Sequence, residues 1–236
     1  MAHWVDSKTI GGVTEVTLLT PIKQGIIPGE TRNYEQRLND ELANLCARVV
    51  GGIPNPIMQV PTIHFGRWLI VVPAQYLSCD MEWVNPLHTF RSWLLFMSEF
   101  DGDMKTYLDD FSSILGDDVD RIWGNCEGYP SEGARDLDAF WAYAKRYQLT
   151  TQAFYNAYPG VSVPRVHELF RFRRLFDDFV AATRKQDGTS IDNLPAEFDR
   201  FLDEALSFPQ NFPARGGVYE ITTPFQPSPP RIVRQD

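Results

Sequence analysis

Hydrophobic and polar positions change period several times along this chain, and each change predicts an element. After a glycine pair, "GGVTEVTLLTPIK" alternates, so Val13 to Thr20 reads as a strand. From Tyr34 the apolar positions Leu38, Leu42, Leu45 and Val49 recur every three or four residues, the spacing of one helix face, and Gly51-Gly52 stops it. "TIHFGRWLIVV", Thr62 to Val72, is a second strand. "FRSWLLFMSEF", Phe90 to Phe100, is a third, after a loop that contains Pro73 and Pro86. "FDGD" then opens a helix capped by Asp101 or Asp103, with Met104, Tyr107, Leu108, Phe111, Ile114 and Leu115 on its buried face. Gly116 is read as an interruption before "DDVDRIW". Another helix is expected over 135–147, and "QAFYNAYPG" reads as a short fourth strand closed by Pro159-Gly160.

The resulting order, β-α-β-β-α-(α)-β, is that of the ferredoxin-like split βαβ plan: an α+β fold with an antiparallel sheet and helices on one face. Residues 12–160 form the expected domain. Residues 161–207 form a C-terminal helical extension, with Val166, Leu169, Phe170, Phe176, Phe179 and Val180 as an apolar stripe and "LPAEFDRFLDEAL" as a second helix. Residues 208–236 are rich in Pro and Gly and read as an extended tail holding one short strand, Val218 to Thr222. No internal repeat occurs. The second face of such a sheet needs a cover, supplied either by the sheet of another subunit or by the C-terminal third.

Composition narrows the classes. The 236 residues are 43% hydrophobic and 22% charged, ordinary values for a globular protein. A formal charge of −9 argues against nucleic acid and anionic lipid, since both need a basic footprint. Cys46, Cys79 and Cys126 form no close pair, which fits a reducing compartment and hence the cytoplasm. The N-terminal segment has no signal pattern, and no apolar run reaches membrane-spanning length.

The candidate chemistry begins with His64 and Arg67 in "TIHFGRW". On a regular strand they point to opposite faces. A bulge at Gly66 would bring them onto one face, as an acid/base beside a fixed cation; otherwise each is satisfied separately. Glu99 and Asp101 end the neighbouring strand, as capping groups, as partners of Arg67 or as groups facing the same hollow. "GNCEGYP" packs Cys126, Glu127 and a tyrosine between glycines, a composition suited to a pocket wall; Cys126 is either a nucleophile using His64 as base or a small buried hydrophobe. His167, Arg171 and Arg174 share one helix side, as a haem ligand with propionate partners or as a solvated basic face. No zinc, ATP or dinucleotide motif occurs.

Taken together, "TPIKQG", "IHFGRW", "FDGD", "NCEGYP" and "FYNAYPG" resemble a bacterial family with the motif order TPIKxG, HFxRW, FDG and CEGYP, within the dimeric α+β barrel superfamily. The resemblance spans residues 14–160. It implies a ferredoxin-like sheet packed face to face in a homodimer. The superfamily includes haem proteins similar to dye-decolourising peroxidases and chlorite dismutases, cofactor-free monooxygenases, and small-molecule isomerases or cyclases. Asp101-Gly102 and Arg67 echo the Asp-Gly pair and distal arginine of the peroxidases, while the surrounding glycine pattern and a proximal-histidine motif are absent.

The combined expectation is a small-molecule enzyme, an oxidoreductase of peroxidase or monooxygenase type, acting on a hydrophobic or aromatic substrate at the sheet face. His64 is its acid/base and Arg67 its oxyanion or peroxide stabiliser, both oriented by Asp101 and Glu127. Trp68, Trp93, Cys126 and Tyr155 line the substrate, and His167 is the ligand if haem is the cofactor. The alternatives are a non-catalytic ligand-binding or assembly protein and a cofactor-free isomerase or cyclase.

Overall fold

A computed structural model of the chain describes residues 7–50, 56–73, 91–183 and 193–207. Strands β1 (Thr9–Ile10), β2 (Val13–Pro21), β3 (Ile63–Val71) and β4 (Trp93–Asp101) form one antiparallel sheet in the order β1-β2-β4-β3. Helix α1 (Tyr34–Val50) carries the chain from β2 to β3, and β4 fills the place between those two strands, as a split βαβ unit requires. Helices α2 (Met104–Trp123) and α3 (Leu137–Tyr147) follow, then α4 (Val163–Thr183) and α5 (Leu194–Leu206).

The sheet register explains which residues meet the helices. Along β4, Leu94, Phe96, Ser98 and Phe100 are buried, while Trp93, Leu95, Met97 and Glu99 are half-buried. One face of the sheet is therefore fully covered, and the other is only partly covered among the described residues. On the covered face Leu38 and Leu45 of α1, Tyr107, Phe111, Leu115, Val119 and Trp123 of α2, and Phe140 and Tyr143 of α3 close over Val16, Leu18, Leu94, Phe96 and Phe100. Tyr107 stacks on Phe100 with ring centroids 3.8 Å apart, and Trp123 meets Phe96 edge to face at 5.2 Å.

Two local expectations are corrected. Gly116 does not interrupt α2, which runs unbroken to Trp123. Val119, Ile122 and Trp123 continue the same buried stripe, and this packing outweighs the cost of about 1 kcal/mol for a helical glycine. The fourth strand expected at "QAFYNAYPG" is not formed. The β2 edge is instead taken by β1, through a two-residue hairpin at Gly11-Gly12 with φ of +59° and +85°, and by a single bridge between Leu18 and Gln148. The segment after Gln148 lies beside β2 only briefly, with Leu149 N–H donating to Thr17 O, before it reaches the hairpin. There Gly160 N–H donates to Gly11 O at 2.7 Å. The tail 208–236, with its expected strand, and Cys79 lie outside the described residues.

Candidate functional site

The question raised by "HFGRW" is answered by the ladder between β3 and β4. Ile63 pairs with Phe100 and Phe65 with Glu99, so His64 is an extra residue on β3. The bulge therefore lies at His64 rather than at Gly66, and the pairing is regular again by Phe65. Arg67, opposite Met97, falls on the open face together with Phe65, Leu69 and Val71. His64 turns to the same face, because its partner Asp101 is in phase with Glu99 and Met97. Imidazole Nε2 lies 2.9 Å from Asp101 Oδ1. Gly66 has another role: a Cβ there would meet the Trp68 indole at 3.3 Å, so the glycine lets that ring lie flat along β3 on the covered face. The Trp68 ring sits 5.0 Å from Phe96.

The bulge is braced from the core. Ser98 Oγ donates to the Phe65 carbonyl at 3.1 Å, and Tyr107 Oη lies 3.1 Å from Ser98 Oγ. Burial pushes the Tyr107 phenol far above its ordinary range, so it stays a donor. A carbonyl displaced from the ladder by the bulge thus has a partner.

Asp101 is buried and binds in two directions. Its Oδ1 meets His64, and its Oδ2 accepts the backbone N–H of Val163, the first residue of α4, at 2.8 Å. The "FDGD" ambiguity is resolved by its neighbours: Asp103 caps α2, accepting from Lys105 N and Thr106 N at 3.0 Å, and Gly102 makes the turn with φ +90°.

Around this dyad the charged groups differ in how they are satisfied. Glu15, opposite Glu99 across β2 and β4, accepts from Thr151 Oγ1 at 2.8 Å and from Lys8 N at 3.3 Å. Among the described residues Glu99 makes no ion pair and no hydrogen bond to another side chain. Burial pushes its carboxyl above the usual range; Arg67 and His64 pull it back and Glu15 adds to the rise. Among the described residues Arg67 also has neither hydrogen bond nor ion pair, and His64 Nδ1 has no partner. A guanidinium, a half-buried carboxyl and an imidazole nitrogen, none of them paired among the described residues, thus sit among Phe65, Leu69, Leu95 and Met97 on one face of the sheet.

The other sequence-derived positions lie elsewhere. Asn125 and Cys126 extend the far end of β2, where Ile22 bridges Cys126 and Lys23 N–H donates to Asn125 O. Glu127 pairs with Arg91 at 2.9 Å, ahead of the first residue of β4. His64 is at the last residue of that nine-residue strand, so the loop is roughly 25 Å away and Glu127 cannot orient His64 or Arg67. Cys126 does not line the open face. It is fully buried, and burial pushes its thiol up to about 12, which removes it as a nucleophile. Asn125 Nδ2 donates to the carbonyls of Arg121 and Ile122 while its Oδ1 accepts from Arg37, and Asp120 holds Tyr129 Oη and Ala134 N. "GNCEGYP" is therefore a helix stop and a brace. Trp68 belongs to the covered face and Tyr155 is 85% exposed, so neither walls the site. Trp93 shares the open face, but at the end remote from His64.

A haem does not fit these residues. His167 is exposed on α4 and lines neither of two cavities in the structure. One cavity, of about 550 Å³, lies between α4 and α5; the other, of about 490 Å³, lies beside Met104 and Trp141. Among the described residues no group of three or more His, Cys, Asp or Glu could hold a metal ion, and no helix is long and apolar enough to cross a membrane.

Sequence reasoning missed Ser98, Tyr107, Glu15 and Val163 as parts of this arrangement. Only Ser98, a polar residue next to Glu99 in the otherwise apolar run from Trp93 to Phe100, carried a signal. The chain matches no protein-family model, no curated protein and no solved structure.

Proposed function

We propose that the protein is a small-molecule enzyme that works on the open sheet face, with His64 as acid/base and Arg67 as the group that receives negative charge. The observation that carries this reading is the His64–Asp101 pair beside an unpaired Arg67 on an apolar surface. Arg67 is exposed on this face, so its guanidinium can turn from water to an anionic oxygen of a ligand and bind it through two N–H groups. The ligand class is a hydrophobic or aromatic molecule carrying an acidic, phenolic or enolisable oxygen. Its rings rest on Phe65, Leu69 and Met97, and its oxygen lies against Arg67.

His64 Nδ1 takes the proton from that oxygen while Asp101 holds the imidazole through Nε2, and Arg67 stabilises the oxyanion. An electron-rich anion of this kind is what dioxygen or a peroxide oxidises in monooxygenase- and peroxidase-like reactions. The same anion is the starting point for an isomerase or cyclase. The oxidoreductase is favoured by the resemblance to dimeric α+β barrel proteins, and a second copy placed sheet to sheet would close the face. Cys46 and Cys126 are free thiols, in keeping with a reducing, cytoplasmic setting. A second reading, a ligand-binding or assembly module, is favoured by the openness of the face, on which Phe65, Arg67 and Leu69 are exposed.

The test is turnover of a panel of phenols and quinols with dioxygen or hydrogen peroxide. His64→Gln lowers kcat by about 100-fold or more if the imidazole moves the proton. Equal rates in the two proteins refute the acid/base role, and binding of the panel without any turnover supports the module.

A further inference from the structure

Helices α4 and α5 form an antiparallel hairpin whose aromatic contacts are largely with each other. Phe172 and Phe176 meet Phe201, and Phe179 meets Phe198 and Phe201, with centroids 5.0–6.1 Å apart. No residue of either helix belongs to the main hydrophobic core. The hairpin has two unlike sides. One is the charged cleft of about 550 Å³ lined by Arg171, Arg174, Asp178, Glu197, Arg200 and Glu204. The other carries Leu169, Phe172, Phe176, Leu194, Phe198 and Leu202, all 37–47% exposed. At helical spacing these residues make one stripe on each helix, adjacent across the hairpin. Two helices expose such a stripe when they are half of a bundle.

We propose that this side pairs with the same side of a second copy, forming an intermolecular four-helix bundle. Size and charge both select that occupant. With about 200 Å² for a whole side chain of this kind, the six residues leave roughly 500 Å² of apolar surface open. At the about 65% apolar share of homodimer interfaces, this corresponds to roughly 800 Å² per partner, the size of a stable interface. The charges outside the cleft are self-complementary: on α4 Arg165 and Arg173 do not line it, the latter also meeting Asp177, whereas on α5 the charges that do not line it are Asp199 and Asp203. In a two-fold pairing α4 of each copy lies along α5 of the other, placing basic beside acidic. The inference does not rest on the proposed reaction or on the sheet-to-sheet contact.

The test is the mass of the full-length protein by light scattering between about 1 and 100 µM, for the wild type and for the double variant Leu169→Glu/Leu202→Glu. The expected result is an even-numbered assembly for the wild type and half that mass for the variant, with helix content unchanged. A monomeric wild type, or a variant that keeps the wild-type mass, overturns the proposal; the latter leaves the sheet face as the interface. Hydrogen exchange of the wild type provides a readout free of any folding defect in the variant. Protection across residues 163–183 and 194–206 rises with protein concentration if the bundle is intermolecular, and protection independent of concentration overturns it.

Discussion

The two ends of β4 both hold conspicuous polar residues, and they differ in whether those residues are satisfied. At the Trp93 end, Asn125 uses both sides of its amide, Asp120 accepts from Tyr129 and Ala134, and Glu127 pairs with Arg91. From the middle of β4 to its Asp101 end, Arg67 and Glu99 have no side-chain hydrogen-bond or ion-pair partner among the described residues and His64 has one. Polar groups that complete each other hold a fold together, whereas polar groups left incomplete on an apolar surface are available to a ligand. The more unusual motif, "GNCEGYP", thus belongs to the architecture, and the plainer strand carries the candidate chemistry.

The sharpest test of this contrast removes Asp120. Asp120→Ala strands the Tyr129 hydroxyl and the Ala134 amide, at a cost of about 2–3 kcal/mol, and lowers Tm by roughly 5–10 °C in a thermal melt. Gly133→Ala acts in the same direction, because its φ is +75° and its Cβ would sit 2.6 Å from Asp120 Oδ1. A melt unchanged by both substitutions would contradict a structural role for the loop. Arg67→Met, at the other end, shifts Tm by no more than about 2 °C, since no bond is lost, yet weakens ligand binding by about tenfold or more. A large fall in Tm would show that Arg67 is structural after all.

Thiol accessibility separates the ends without mutation. Brief alkylation of the native protein, mapped by mass spectrometry, modifies exposed Cys46 and leaves Cys126 untouched, because the latter is buried and its thiol is pushed up to about 12. Modification of Cys126 at the rate of Cys46 would place the loop at the surface. The smallest effect concerns Glu99. Its native carboxyl keeps a proton to higher pH than in the unfolded chain, so the folded state binds more protons between the two pKa values. Stability contributed by this group therefore falls as pH rises through that window and levels off above it. Glu99→Gln removes the fall, raising Tm at pH 7 by on the order of 1–2 °C and leaving it unchanged near pH 4.

The sheet and the first two helices were legible because their signals are periodic. Leu94, Phe96, Ser98 and Phe100 alternate on β4, and the α2 stripe recurs at three and four. The fourth strand was not, since "QAFYNAYPG" has strand-like residues but lies where the chain turns to meet Gly11, a contact that local pattern does not carry. At the site, the shared face of His64 and Arg67 was legible as a consequence of a bulge. Its position was not, because a glycine marks either a bulge or a close approach, and at Gly66 the approach is by Trp68. The distance of Glu127 from His64 follows from the register of β4 with β2, which no short motif encodes.

The Asp101 carboxyl divides its two oxygens between an imidazole and the leading amide of α4. One atom group is thereby a hinge pin for the helical arm as well as a collar for the histidine. Substitution at 101 will accordingly produce compound phenotypes, in which loosened attachment of the arm and altered proton chemistry travel together.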